Sequence, residues 1–187
     1  MVDVILASTS PRRKFLLEEA GISFRIIVPD VEELEPGHLS PHDLCAQNAR
    51  RKALAVAATA PNAIVIGADT IVSMEETVFG KPKDLSHAAQ MLEALAGRCH
   101  HVLTAVCLVK NATNQVHDWV EVTQVHFRPL SEINIPAYLA RIHPLDKAGA
   151  YSAQDDQGEL ITHIQGCLKN VIGLPTPTLL NALKAFQ

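Results

Sequence analysis

Residues 4–13 read Val4-Ile5-Leu6-Ala7-Ser8-Thr9-Ser10-Pro11-Arg12-Arg13. The first four residues are aliphatic, which is typical of a short buried strand. Ser10 followed by Pro11 is typical of a helix start, because serine accepts a hydrogen bond from an unpaired N–H there and proline fits the first helical position. Gly21 is suited to ending that helix. The stretch therefore predicts a strand, a tight turn and a helix N-terminus in immediate succession.

The rest of the chain repeats this alternation at first and then becomes mixed. Ser40 and Pro41 repeat the pattern of a helix start and predict a second helix to about residue 58. Residues 63–72 form a nearly continuous apolar run, as expected of a central strand buried on both faces. We further predict a helix capped by Ser86 and ending near Gly97, strands over 101–110 and 119–128 with a bulge between Val122 and Val125, a helix from Ser131, extended segments at 159–164 and 171–172, and a final helix over 178–186.

This order of elements predicts an α/β protein with a mixed central sheet flanked by helices. The 187 residues suit one ordinary domain spanning residues 1–187, or two lobes folded around a shared cleft. In such sheets ligands bind beyond the carboxyl ends of strands, which is where residues 8–13 are expected to lie.

Composition and missing motifs narrow the function. The first residues lack the basic segment and apolar run of a signal peptide, and no apolar run is long enough to cross a bilayer, so we expect a cytoplasmic protein without membrane contact. The net charge of −4 and the lack of an aromatic-basic stripe argue against nucleic-acid binding. The four cysteines form no metal-binding pattern, and no P-loop, dinucleotide fingerprint or zinc-protease motif is present.

A cluster of anion-binding side chains follows the first strand. Ser8, Ser10, Arg12 and Arg13 combine hydroxyl donors with two guanidinium groups at a helix N-terminus, and phosphate suits all three features. Arg13 stands where glutamate would complete a capping box, and its charge opposes the helix dipole, which favours a functional role. A capped surface helix with solvated arginines is an equally open interpretation of these residues alone.

Asp69 is the one acid in the apolar run 63–72. Burial of a lone carboxylate is costly unless a cation or hydrogen bonds compensate it, so a metal ligand or a general base would explain this residue. A strand-end acid that reaches solvent is the alternative. One of the acids in the polar connection after residues 25–29 could join Asp69 around a hard cation; they are Asp30, Glu32, Glu33 and Glu35.

Two lysines could supplement the arginines. Lys81 lies in a turn stiffened by Pro82, and Lys52 lies beside the apolar face of the second predicted helix. Each alone is more often a surface residue. Together with Arg12 and Arg13 they would neutralise a triphosphate.

Six ordered blocks spread over nearly the whole chain resemble the Maf family of nucleotide pyrophosphatases. They are Ala7-Ser8-Thr9-Ser10-Pro11-Arg12-Arg13, Gly67-Ala68-Asp69-Thr70-Ile71-Val72, Gly80-Lys81-Pro82-Lys83-Asp84, Phe127-Arg128-Pro129-Leu130, Asp146-Lys147-Ala148-Gly149-Ala150-Tyr151 and Asn170-Val171-Ile172-Gly173-Leu174-Pro175. The resemblance implies a two-lobed mixed α/β fold with a cleft between the lobes, and often a homodimer. It also implies an enzyme that hydrolyses non-canonical or pyrimidine nucleoside triphosphates with the help of a divalent metal.

The resemblance also implies roles for single residues. The phosphate-binding residues would be Ser8, Arg12, Arg13, Lys52 and Lys81. Glu33 and Asp69 would hold magnesium or manganese, and Asp69 matches the family's proposed proton acceptor. Ser10 is a candidate for substrate binding from the residue pattern alone, as the second hydroxyl of the cluster after the first strand.

Three residues resemble the branch of the family that prefers dTTP and UTP: Arg13, Thr70 and Gln154. Gln154 is the candidate for reading the base, because an amide both donates and accepts hydrogen bonds. The chain departs from the usual Tyr-Gly-Ile-Gln-Gly of that branch, and its Asp155 and Asp156 lie near the expected base pocket.

Two alternatives differ in substrate or in class. The protein could prefer 7-methyl-GTP, the substrate of the other branch of the family. That branch usually reads Gly-Ser-Asp-Gln where this chain has Gly67-Ala68-Asp69-Thr70. It could also be a non-catalytic, nucleotide-binding regulator of septum formation, and nucleotide binding without metal-dependent turnover would support that hypothesis.

Overall fold

A computed structural model describes residues 3–186. The strands are β1 (Val4–Ala7), β2 (Arg25–Ile26), β3 (Ile64–Met74), β4 (Thr77–Phe79), β5 (Cys99–Lys110), β6 (Gln115–Phe127) and β7 (Ile161–Gln165). The helices are α1 (Pro11–Glu19), α2 (Pro41–Thr59), α3 (Leu85–Leu95), α4 (Ile135–Arg141), α5 (Leu168–Ile172) and α6 (Thr176–Ala185). Within these residues, no helix is both long and apolar enough to cross a bilayer.

All seven strands belong to one mixed sheet, as predicted. Six of them follow the order β2-β1-β3-β5-β6-β7, and β4 pairs with the far end of β3. The pairs β1–β2 and β1–β3 are parallel, whereas every other pair is antiparallel. The parallel part therefore places the carboxyl end of β1 beside the middle of β3, where Ala7 pairs with Gly67.

Side chains along β3 alternate between the two faces of the sheet, as the pleat requires. Val65 and Ile71 pack in the apolar cluster that includes residues of α2. Ile66 and Ala68 pack in the cluster that includes residues of α1 and α6. The same alternation directs Asp69 towards α2 and Thr70 towards α1.

A third apolar cluster builds the second lobe at the far ends of the long strands. It combines residues of α3 and α4 with Val72, Val102 and Val125 from β3, β5 and β6. The expected two lobes thus share the long strands β3, β5 and β6, and a cleft opens between them.

Several expected element boundaries are wrong. Asp84, not Ser86, caps α3 by accepting a hydrogen bond from His87 N–H. The helix expected from Ser131 begins at Ile135, where Asn134 is the cap, because Ser131 lies in a short 3-10 turn. The last helix begins at Thr176, two residues earlier than expected. A capping side chain within two or three residues of another polar one is therefore hard to choose from the sequence alone.

Two errors concern strands. The bulge expected between Val122 and Val125 is absent, because β5 and β6 pair in continuous register from Cys99–His126 to Lys110–Gln115. Val122 is exposed, so the apolar pattern slips there without a change in pairing; the register shift lies at His126/Phe127, opposite β7. Residues 171–172, expected to be extended, end α5 instead.

Candidate active site

A cleft of about 600 Å³ lies beyond the carboxyl end of β1, between the two lobes. Its walls come from the turn into α1, the connection after β2, the middle of β3 and the segment 146–154. Every residue predicted for the site lines this cleft; they are Ser8, Ser10, Arg12, Arg13, Glu33, Lys52, Asp69, Thr70, Lys81 and Gln154.

Arg13 forms the floor of the cleft and is buried, with 9% of its surface exposed. Its Nε donates to Gly173 O at 3.0 Å, Nη1 donates to Ser8 Oγ at 3.2 Å, and Nη2 donates to Thr70 Oγ1 at 3.0 Å. Among residues 3–186 no carboxylate lies within ion-pair distance of this guanidinium. Burial lowers the pKa of Arg13, and the charge of Asp69 opposes that shift. A buried cation that meets only neutral oxygens makes this floor attractive to an anion.

Asp69, Lys52 and Glu33 form a second charged group on the opposite face of β3. Lys52 Nζ lies 2.7 Å from Asp69 Oδ1 and 2.6 Å from Glu33 Oε1. Asp69 and Lys52 are both buried, whereas the Glu33 side chain is half-exposed. Burial raises the pKa of Glu33, but the hydrogen bond and charge of Lys52 outweigh that effect and lower it overall. Both carboxylates therefore lie within ion-pair distance of the same Lys52 nitrogen.

Close packing of α2 on β3 creates this group. Gly67 faces α2, and a Cβ on Gly67 would lie 2.4 Å from Ala49 O and 2.7 Å from Ala53 Cβ. Two small residues on the helix and a glycine on the strand thus let the backbones approach. Lys52 and Asp69 lie next to this contact, which explains why they meet in a buried place.

The remaining predicted residues are more exposed. Arg12 donates from Nη1 to Asp146 Oδ2 at 2.7 Å, across the mouth of the cleft. Lys81 is exposed and forms no ion pair within the described part of the chain. Ser10 uses its hydroxyl to cap α1, accepting from Arg13 N–H at 3.4 Å. Gln154 is exposed and has no hydrogen-bond partner in residues 3–186, so its amide is open to a ligand.

The two acids after Gln154 do not line the cleft. Asp155 accepts a hydrogen bond from Ser152 Oγ at 2.6 Å. Asp156 accepts from the backbone N–H groups of Gly158, Leu160 and Ile161. Both acids therefore stabilise the loop. Although they follow Gln154 in sequence, neither acid is part of the base pocket.

Sequence reasoning missed three residues that shape the cleft. Asp146 holds both Arg12 and Lys147, whose Nζ lies 2.7 Å from Asp146 Oδ1. Asn48 binds the backbone of the connection after β2. Asp146 and Lys147 belong to one of the six blocks that resemble the family, and this could have identified them as site residues. Asn48 lies one helical turn before Lys52, so helical spacing could have identified it.

His100 supports the cleft wall from the interior. It is fully buried, and its Nε2 lies 2.9 Å from the hydroxyl of Tyr151, which lines the cleft. Desolvation lowers the pKa of His100 to about 4, and the nearby His101 and His126 add to that shift. His100 is therefore neutral at physiological pH.

The chain is similar to known proteins in sequence and in fold. A family model described as "Maf-like protein" matches residues 3–186. A relative from Pelotomaculum thermopropionicum is 42% identical over 186 residues, which covers 100% of this chain and 97% of the relative. A relative from Bacillus anthracis is 45% identical over 187 residues with the same coverage. Both relatives are named dTTP/UTP pyrophosphatase.

Among solved structures, the Ham1 protein of Staphylococcus aureus shares this fold. It aligns with a TM-score of 0.50 at 16% identity and covers 98% of this chain and 97% of its own. At that identity the likeness concerns the fold alone.

Proposed function

Since this chain belongs to the Maf family, we propose that it cleaves dTTP and UTP into the nucleoside monophosphate and pyrophosphate. The observation that carries the proposal is Arg13, a buried guanidinium without a carboxylate partner in residues 3–186, in the same cleft as the buried Asp69–Lys52 pair. The Arg13 guanidinium attracts a polyanion, and the Asp69 carboxylate can accept a proton. Relatives at 42% and 45% identity carry the name of this activity.

The cations of the cleft bind and orient the triphosphate. Arg13 is fixed by three hydrogen bonds and offers its guanidinium from the floor, while Lys81 is unpaired in the described chain and reaches in from the rim. Arg12 exchanges Asp146 for a phosphate oxygen, because a triphosphate carries more negative charge than one half-exposed carboxylate. Such fixed cations stabilise the charge that develops on the transferring group.

Asp69 orients the attacking water and accepts its proton. Its Oδ1 is occupied by Lys52 Nζ at 2.7 Å, whereas its Oδ2 has no hydrogen-bond partner in residues 3–186. The free oxygen can therefore accept a hydrogen bond from water, which attacks the α-phosphorus. The P–O bond to the β-phosphate breaks and pyrophosphate leaves.

A divalent cation, Mg²⁺ or Mn²⁺, fits the oxygen donors of Glu33 and Asp69. These two carboxylates converge on Lys52 Nζ, beside which the cation would bind, and no cluster of three or more histidine, cysteine or acidic ligands exists in residues 3–186. Magnesium is commonly bound by one or two carboxylates together with substrate phosphates, so two protein ligands suffice. When bound, the cation would neutralise phosphate charge and lower the pKa of water.

Base selection is assigned to Gln154. The amide of Gln154 is open to the cleft and matches the mixed donor and acceptor edge of thymine or uracil. Thr70 is occupied by Arg13, Thr104 and Gly173 O, so it acts by fixing Arg13 rather than by reading the base.

We further expect a homodimer in the cytoplasm. In support of pairing, β7 covers only residues 124–127 of β6, so residues 115–122 have no strand partner on their outer edge within residues 3–186. Light scattering of the purified protein tests the dimer.

Pyrophosphate release from a panel of nucleotides tests the proposed function. The panel contains dTTP, UTP, CTP, 7-methyl-GTP and the common purine triphosphates, each with Mg²⁺, with Mn²⁺ and with chelator. We expect metal-dependent release that is fastest with dTTP and UTP. If release is fastest from 7-methyl-GTP, the proposed reaction is supported but the proposed preference for dTTP and UTP is refuted. Nucleotide binding without pyrophosphate release would favour a non-catalytic regulator.

A further inference from the structure

The connection between β2 and α2 carries Glu33 but has little structure of its own. Residues 27–39 contain no helix or strand, and residues 28–39 form no backbone-to-backbone hydrogen bond with any part of the described chain. This connection nevertheless supplies a whole wall of the cleft. Something other than its own backbone must therefore fix its position.

Helix α2 supplies that fixation from one face. Asn48 Oδ1 accepts from Leu34 N–H at 2.7 Å, and Asn48 Nδ2 donates to Leu34 O at 3.1 Å. Arg51 Nη2 donates to Glu32 O at 3.2 Å. With Lys52, which holds Glu33, these residues stand at positions i, i+3 and i+4 and so share one helical face.

Asn48 is the buried member of this group. It is 4% exposed, and its amide pairs with both backbone groups of Leu34 as a neighbouring strand would. A buried amide without partners costs free energy, so Asn48 favours the one loop position that satisfies it. Arg51 is exposed and forms a single bond, so its hold on the loop is weaker.

We infer that Asn48 is a positioning residue that fixes Leu34 and thereby holds the adjacent Glu33 carboxylate in the cleft for a divalent cation. The inference rests on the proposed function, in which Glu33 and Asp69 are the protein ligands. Groups that orient a metal ligand through hydrogen bonds typically change metal affinity or activity by about 10- to 100-fold when they are removed.

Two measurements on the full-length, nucleotide-free protein test the role of Asn48. The first is the dissociation constant for Mn²⁺ by calorimetry, and the second is backbone hydrogen exchange over residues 28–36. In Asn48→Ala we expect the dissociation constant to rise by about tenfold or more and these amides to exchange faster. The matched control is Gln47→Ala, which removes an exposed amide from the same helix and should leave both readouts unchanged.

Arg51→Met keeps the test decisive if Asn48→Ala does not fold, because the Arg51 side chain is exposed. It should raise the Mn²⁺ dissociation constant in the same direction by a smaller factor, of about threefold or more. If folded Asn48→Ala, or Arg51→Met in its place, binds Mn²⁺ within about twofold of the wild type and its loop exchanges at the wild-type rate, the inference is overturned. Pyrophosphate release by the wild type, measured in parallel, shows separately whether the proposed function holds.

Discussion

Arg13 is the residue whose environment is most specific to an anion site. Its three donor nitrogens are fixed by Gly173 O, Ser8 and Thr70. We expect Arg13→Lys to lower kcat/KM for dTTP by about a hundredfold, because lysine keeps the charge but loses the planar fork. Arg12→Lys should cost less, since Arg12 is paired at the rim. Steady-state pyrophosphate release measures both, and a loss below about threefold in Arg13→Lys would contradict this account.

His100 gives the folded protein a distinct dependence on pH. Its pKa is lowered by burial to about 4 in the folded state, whereas an unfolded histidine titrates near 6.5. Between these values the unfolded state binds more protons, so stability falls as the pH falls. For the wild type, this effect of His100 should lower the free energy of unfolding by roughly 2 kcal/mol between pH 7 and pH 5. We expect His100→Gln to lack this part of the pH dependence.

Urea denaturation at the two pH values measures this difference in the free energy of unfolding. The control is His163→Gln, which alters an exposed histidine and should keep the wild-type pH dependence. Equal pH dependence in the wild type and His100→Gln would refute the assignment of this effect to His100.

The contact between α2 and β3 is the packing on which the site depends. Because a Cβ at Gly67 would collide with the backbone of α2, we expect Gly67→Ala to cost about 1–3 kcal/mol in stability. It should also lower turnover, since α2 carries Lys52 and β3 carries Asp69. Urea denaturation and pyrophosphate release measure the two effects together.

A matched glycine separates packing from backbone freedom. Gly37 lies in an open loop where a Cβ would contact nothing closer than 4.0 Å, so Gly37→Ala should leave stability and turnover unchanged. Equal stability of Gly67→Ala and Gly37→Ala would show that the helix can shift without cost.

The sequence predicts the main elements well where local chemistry and packing agree. The first strand and helix, the second helix and the apolar strand over residues 63–72 correspond to β1, α1, α2 and β3. Residues 171–172 are β-branched and were expected to be extended, yet they end α5, where Asn170 donates to Val102 O and Thr123 Oγ1. Contacts made at large sequence separation overrode local preference there, and no local pattern reports them.

At the scale of the whole molecule, the convergence of the predicted site depends on pairing that the sequence does not reveal. Thr70 and Asp69 are neighbours in sequence, but the pleat of β3 sends one to Arg13 and the other to Lys52. The residue types, together with the sequence blocks that resemble the family, predicted which residues belong to the site. The hold of Asp146 on Arg12, across 134 positions of sequence, could not be predicted.

The charge distribution predicts a salt effect on substrate affinity. The chain as a whole carries −4, whereas the cleft lining has a small positive charge, because it contains five basic side chains and four acidic ones. A local field of this kind is screened once the Debye length falls to roughly 8 Å at physiological ionic strength. We expect KM for dTTP to rise severalfold between low and moderate salt, with kcat nearly constant, and a KM independent of salt would contradict a cationic cleft.

The role of Asp69 is the central claim, and the most direct measurement is metal-dependent pyrophosphate release from dTTP by the wild type and by Asp69→Asn, with folding checked by circular dichroism. The amide keeps the shape of the carboxylate but loses its charge and its capacity to accept a proton. We predict a loss of about a hundred- to a thousandfold in turnover with the fold intact. A folded variant that retains more than about half of the wild-type rate would remove Asp69 from the mechanism.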